Sequence, residues 1–215
     1  MLRLGVSRQD AMQEANAQNP GTLVALFASD SGEIVKTLKD KYNLETSIIT
    51  GSSLVVLGGR VPDVNKAIIW AKEEKVRAIP LKTDGAFHTS LEKPAAELLK
   101  ESLQDITIND ARIPVIANTT GKSIRTSRQI RREVINQLTK PVLWLESTNF
   151  MSNQVDQFLE IGNNGLLTNI IKRDLENSTG QNDSLVRRAL QASQEAVNAI
   201  GVALIIRQPL KDSPF

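Results

Sequence analysis

"LETSIITGSSLVVLGG", residues 44–59, reads as two short runs rich in Ile, Val and Thr on either side of a Gly-Ser-Ser turn. Runs of that length around such a turn predict an antiparallel strand pair. What flanks the pair decides the fold. Upstream, "TLVALFA" (22–28) predicts a strand, Ser29, Asp30 and Ser31 are cap candidates, and Ile34, Val35, Leu38 and Tyr42 share one face of a helix that stops at Asn43. Downstream, Pro62 and Asp63 open a second helix carrying Val64, Ala67, Ile68 and Ala71, and "VRAIPLK" (76–82) closes the set. The order is β-α-β-β-α-β, the split-βαβ, ferredoxin-like pattern.

Around this unit the rhythm changes to longer helical stretches alternating with single apolar strands, which predicts an α/β layer with a mostly parallel sheet and makes the unit an insertion. After "GAFHTSLEKP" (85–94) comes a helix through about Leu103, then the strand "IPVIAN" (113–118), a polar turn "TTGKS" and a helix from about Ser127 to Leu138 ended by Pro141. "DQFLEIG" reads as a buried strand, Gly162 to Gly165 as its turn and "LLTNIIKRD" as the next helix. "ENSTGQNDS" is a polar linker. Beyond it Leu185, Val186, Ala189, Leu190, Ala196, Val197 and Ile200 recur at helical spacing and predict an amphipathic tail helix.

The chain has 215 residues, 40% of them hydrophobic, enough for one large or two small domains with a core. Lys plus Arg number 26 against 24 Asp plus Glu, spread along the chain, so no basic stripe points to nucleic acid. With no cysteine and one histidine, a disulfide framework, a thiolate site and a dedicated zinc site are all disfavoured. The longest apolar run, "AIGVALII", is far short of the roughly 20 residues that span a bilayer. "MLRLGVSRQD" lacks the apolar core of a signal peptide. The expectation is a cytoplasmic protein, neither exported nor membrane-embedded. Read by itself, His88 is either a polar turn residue before a helix or a general base. Arg8 by itself is an arginine on an N-terminal helix, and Trp70 and Trp144 are core or rim aromatics.

Four segments in order, "GAFHTSLEKPAAELL" (85–99), "RIPVIANTTG" (112–121), "INQLTKPVLWLES" (135–147) and "FLEIGNNGLLTNIIKR" (158–173), resemble the malonyl-CoA:acyl-carrier-protein transacylases, and "RLGVSRQDAMQEA" (3–15) is similar to a helix of the same family. The resemblance runs from about residue 2 to residue 174 and covers the C-terminal part of the family's domain. It implies a truncated α/β-hydrolase-like acyltransferase layer formed by residues 1–20 and 84–175, with the ferredoxin-like small subdomain 21–83 inserted and 176–215 as linker and tail. It also implies roles. His88 falls at the family's catalytic histidine, which takes the proton of a serine hydroxyl and returns it to the departing thiol. Gln137 matches the residue whose backbone carbonyl holds the other ring nitrogen. Arg8 matches the arginine that grips the free carboxylate of the malonyl group in two parallel hydrogen bonds, and Asn118 falls at a strand end near the active-site rim. The implied substrates are malonyl-CoA and a phosphopantetheinyl acyl carrier protein, with no further cofactor and no metal; the implied partner is the carrier protein, with no nucleic acid and no membrane.

The chain departs from the family's pattern at the nucleophile. No G-x-S-x-G elbow occurs in the 215 residues, and "TGSSLVV" leads into a strand, so Ser52 and Ser53 have the wrong setting. The family's oxyanion loop "GQG" has no counterpart, its "NSPGQ" turn is "TGSSL" here, and "GPGKVL" is "GNNGLL". Three accounts stay open: one half of a split enzyme whose serine-elbow half is a separate chain, a gene fragment or decayed copy, or a protein whose tail covers the open side of its sheet. Function divides accordingly between malonyl transfer, a non-catalytic scaffold that binds a carrier protein or sister subunit, and a stand-alone regulatory ligand-binding domain.

Overall fold

The computed structural model describes residues 2–27, 31–51, 54–152, 154, 155, 158–161, 167–170 and 202–204. The chain divides into two units, Met1–Ser147 and Thr148–Phe215. In the first, helix α1 (Leu2–Gln18) leads into β1 (Gly21–Phe27), α2 (Ser31–Tyr42), β2 (Glu45–Ile49), β3 (Leu54–Arg60), α3 (Val61–Glu73) and β4 (Arg77–Pro80). The local chemistry accounts for these boundaries. Asn43 takes a left-handed φ of 53° where α2 stops, and a proline in the first turn of α3 gives up an N–H that has no helical acceptor there.

These strands form a sheet in the order β4-β1-β3-β2, every neighbouring pair antiparallel, with α2 and α3 as its crossovers. One face buries Val24, Leu26, Leu38, Leu44, Val55, Leu57, Val64 and Ala67. Leu26 and Leu57 are at most 1% exposed, and at about 2 kcal/mol of transfer free energy each they fix the register, since a slip of one residue turns them to the other side, while Leu38 of α2 packs over them. The opposite face carries Leu23, Ala25 and Val56, with Phe87 packed against them.

A fifth strand, β7 (Val142–Leu143), joins in parallel beside β2. The other flanking strand departs from the expected parallel layer. β5 (Val115–Ile116) pairs antiparallel with β6 (Ser123–Ile124) as a two-stranded hairpin. Gly121, at φ 63°, sits in the tight turn between them, where its amide donates to the Ala117 carbonyl at 2.8 Å. A turn this short returns the chain on itself, so the run "IPVIAN" pairs locally and leaves Ile113 and Val115 exposed.

Helices α4 (Lys93–Ser102) and α5 (Ser127–Thr139) pack with α1 in a second core of Ala11, Ala15, Ala95, Ala96, Leu99, Leu103 and Leu138. Small residues on both α1 and α4 let the two axes approach closely. The helix expected through about Leu103 ends at Ser102 and tightens into a 3-10 turn, Leu103–Asp105. Helix α6 (Trp144–Ser152) follows β7. In the second unit, β8 (Leu159–Ile161) pairs antiparallel with β9 (Val202–Leu204), so residues of the "AIGVALII" run are strand. Residues 167–170 are helical, as the reading of "LLTNIIKRD" expected. The linker, the predicted tail helix through Ile200 and the turn serines Ser52 and Ser53 lie outside the described residues. No helix among the described residues is long and apolar enough to cross a membrane.

Candidate functional site

His88 lies between β4 and the 3-10 turn Ser90–Glu92, with its backbone in the left-handed region at φ 63°. That conformation costs a non-glycine residue of order 1 kcal/mol or more and persists only where the surroundings over-determine it. Here they do. β2 carries a bulge at Ser47, because Thr46 pairs with Leu57 and Ile48 with Val56, leaving Ser47 as the extra residue. The Ser47 hydroxyl is fully buried and donates to the Phe87 carbonyl at 2.8 Å. Two residues earlier on the same strand, the Glu45 carboxylate accepts from the Ser90 amide at 3.0 Å and from the Ser90 hydroxyl. Thr89 donates to the Ala86 carbonyl at 2.5 Å. The loop is thus fastened on both sides of the histidine, and Gly21 lets it press against the sheet: a Cβ there would stand 2.7 Å from the Ala86 Cβ and 2.9 Å from its amide nitrogen.

The partner of the imidazole comes from the end of α5. That helix starts on a capping box between Thr126 and Gln129 and ends at Lys140, extended at φ −120° and ψ 149° before Pro141. In a continuing helix the Gln137 carbonyl would accept from residue 141. Proline has no N–H, so that carbonyl is left as an acceptor at the negative end of the helix. His88 Nδ1 lies 2.5 Å from it. A carbonyl only accepts, so Nδ1 carries the proton and, in the neutral ring, Nε2 carries the lone pair. Burial pushes the His88 pKa below its ordinary 6.5; the bond to Gln137 opposes this and the positive charge of Arg8 adds to it. The result is an imidazole of one fixed tautomer that is neutral near pH 7, the state a general base needs.

Arg8 stands on α1 and lines a cleft of about 670 Å³ together with Met12, Asn16, Asp84 and Phe87. Its Nε is buried without a hydrogen-bond partner. Burial lowers its pKa, opposed by the negative charge of Glu92. Asn118 is partly buried in the turn after β5, where its carbonyl accepts from the Leu143 amide at 2.8 Å and so ties the hairpin to β7. His88 and Gln137 are therefore brought into contact and the charge of Arg8 reaches His88, while among the described residues no hydrogen bond joins the Asn118 side chain to them.

Sequence reasoning passed over Glu45, Ser47 and Glu92. The first two sit on a strand whose pattern shows only half-burial, and their reach to a loop 40 to 45 residues away leaves no trace in spacing. Glu92 reads as an ordinary acidic residue before a helix, yet it is 0% exposed and neither carboxylate oxygen has a hydrogen-bond partner. Burial raises its pKa from 4.5 to about 7, against the pull of Arg8. For Gln137 a signal was present, in the proline four residues on.

No family model matches the chain. Over 173 residues it is 35% identical to the malonyl CoA-acyl carrier protein transacylase of Bacillus subtilis strain 168, a stretch that is 77% of this chain and 54% of that protein. The crystal structure of a malonyl CoA-acyl carrier protein transacylase from Clostridium perfringens superimposes with a TM-score of 0.73 at 30% identity, over 81% of this chain and 56% of the other. A malonyl-transacylase solved in complex with its type II polyketide-synthase acyl-carrier protein is similar too, with a TM-score of 0.74 at 28% identity, over 88% of this chain and 64% of the other. The chain thus spans little more than half the length of the first two. Over that span, in sequence and in fold, it is a homologue of the malonyl-CoA:acyl-carrier-protein transacylases.

Proposed function

We propose that this chain supplies the base and the carboxylate clamp of a malonyl transfer between the thiols of coenzyme A and an acyl carrier protein, in fatty-acid or polyketide synthesis, acting on a serine that lies outside these 215 residues. The single observation that carries the reading is the His88 Nδ1 contact with the Gln137 carbonyl at 2.5 Å, which leaves Nε2 as a lone pair on a neutral ring. Nε2 takes the serine proton as Oγ bonds to the thioester carbon. The C–S bond then breaks, the thiolate leaves with that proton, and an acyl-serine remains. The carrier protein's thiol reverses the sequence, giving its proton to Nε2 and receiving the acyl group. Arg8 holds the free carboxylate of the malonyl group across the cleft it lines, and Asn118 lies at the rim. The reaction as read needs no metal and no cofactor beyond its two substrates, a thioester and a thiol, and we place it in the cytoplasm.

The sheet order β4-β1-β3-β2, with α2 and α3 crossing over, supports reading residues 21–83 as a ferredoxin-like subdomain set into an acyltransferase layer of residues 1–20 and 84–175. The complex of a related transacylase with its carrier protein supports the carrier as partner. The test is reconstitution. The chain is mixed with a separate polypeptide bearing a G-x-S-x-G serine elbow, and transfer from malonyl-CoA to holo-carrier protein is followed. His88→Ala should lower the rate by about 10²- to 10⁴-fold; an unchanged rate overturns the reading. A second reading, a non-catalytic scaffold that captures the carrier protein, draws on the absence of any G-x-S-x-G in the sequence. It is favoured instead if the carrier is captured equally by wild type and His88→Ala and no transfer occurs.

A further inference from the structure

Glu92 closes the 3-10 turn that follows His88 and leads directly into α4. A wholly buried carboxyl whose two oxygens lack hydrogen-bond partners calls for an explanation, because burying such a group unpaired is unfavourable. Helix α1 packs on this turn. From α1, the charge of Arg8 acts on both Glu92 and His88. The Nε of Arg8 is itself buried and unpartnered, and with one Nη it forms the edge of a guanidinium that meets a carboxylate at two points. Arg8 is the charged group that acts on Glu92, and on the helices α4 and α5 several charged groups hold partners of their own. On α4, Glu97 faces Lys100 at the surface. On α5, Arg131 is bound to the carbonyls of Leu103 and Ile106, and Glu133 accepts from Thr119.

We propose that Glu92 is a specificity-determining residue, an internal rival of the substrate for Arg8: ionised, it opposes entry of an acyl carboxylate, and protonated, it leaves the guanidinium to the substrate. Acyl groups with a free carboxylate then bind with uptake of one proton at Glu92, whereas uncharged acyl groups bind without it. Two carboxylates acted on by the charge of one half-buried arginine repel each other, which is the physical basis of the linkage. The inference rests on the reading of Arg8 as the carboxylate clamp.

The experiment is calorimetric titration of the full chain with malonyl-CoA at pH 6 and pH 8, in wild type, Glu92→Gln and Arg8→Ala. Acetyl-CoA serves as the control for titration of the coenzyme's phosphates. With Glu92 titrating at about 7, its protonated fraction falls about tenfold between these two pH values, and malonyl-CoA affinity in wild type should fall with it by about tenfold. Acetyl-CoA affinity should stay level, and Glu92→Gln should bind malonyl-CoA equally at both. A pH dependence as steep in Glu92→Gln as in wild type, with Arg8→Ala still abolishing the preference for malonyl-CoA, overturns the role of Glu92 and leaves the clamp standing. Malonyl-CoA bound by Arg8→Ala as tightly as by wild type, or bound by no form at either pH, removes the clamp and this proposal with it.

Discussion

Replacing Glu92 with glutamine separates two accounts of the buried carboxyl by the sign of its effect. The side chain is 0% exposed and its pKa is raised from 4.5 to about 7. A carboxyl that holds its proton more tightly in the folded state makes the fold progressively less stable as pH rises from the unfolded value through the folded one. The full penalty for a rise from 4.5 to about 7 is about 3 kcal/mol, at 1.36 kcal/mol per pH unit. Between pH 5 and pH 8.5 most of it, on the order of 2–3 kcal/mol, develops. Glu92→Gln keeps the shape and removes the charge, so its stability advantage over wild type should widen by that amount as pH rises. Urea unfolding followed by tryptophan fluorescence reads this well, since both tryptophans, Trp70 and Trp144, lie in the Met1–Ser147 unit. With an m-value of about 1.5–2.5 kcal/mol per molar urea, the midpoint gap should grow by roughly 1–2 M. The competing account makes Glu92 and Arg8 a tight buried ion pair, whose disruption typically costs about 3–5 kcal/mol. A variant less stable than wild type at pH 8.5 therefore refutes the reasoning.

His88 gives a cleaner readout, because it is the only histidine and its ring protons form a single titrating set in a proton NMR spectrum. Its midpoint should fall below 6.5, and Arg8→Gln should raise it by removing a positive charge that disfavours the imidazolium; an unmoved midpoint would separate the two residues. In stability the same shift has the opposite sign to that of Glu92: it is the acid side, from about 6.5 downward, where His88 disfavours the fold. Glu45→Ala removes the acceptor of the Ser90 amide and hydroxyl and should destabilise by about 2 kcal/mol, in the range for hydrogen bonds to a charged group, while moving the His88 resonance. Full stability with an unshifted resonance would mean that β2 does not hold the loop.

What the sequence made legible was mostly local. The order of residues 21–82 follows from turns and alternation that act over a few residues, and Asn43 and Pro62 each fix a boundary by their own backbone preferences. The end of α5 is local too, through Pro141. The pairing of "IPVIAN" was lost because its partner was set by a turn: alternation marks a strand but does not say which neighbour it finds, and Gly121 let β6 reach it first. The parallel seat of β7 beside β2 rests on two residues, too short a run to announce itself.

The site divides along the same line. Arg8, His88 and Gln137 were reached through resemblance to a family, and the chemistry that joins them spans 49 residues between His88 and Gln137. Glu92 could not be reached that way, because its character lies in its surroundings. At "SLEKP" a glutamate before a helix is what favourable interaction with the helix dipole would select at a surface. Only once α1 lies across the turn does the same side chain become a buried, unpartnered carboxyl under the influence of an arginine's charge. Residues chosen for local reasons tolerate replacement by others that meet the same local need. If Glu92 is instead kept for its electrostatic relation to Arg8, aspartate and glutamine, both suited to a helix start, will differ sharply in the pH dependence of malonyl-CoA binding, with aspartate keeping the slope that glutamine loses.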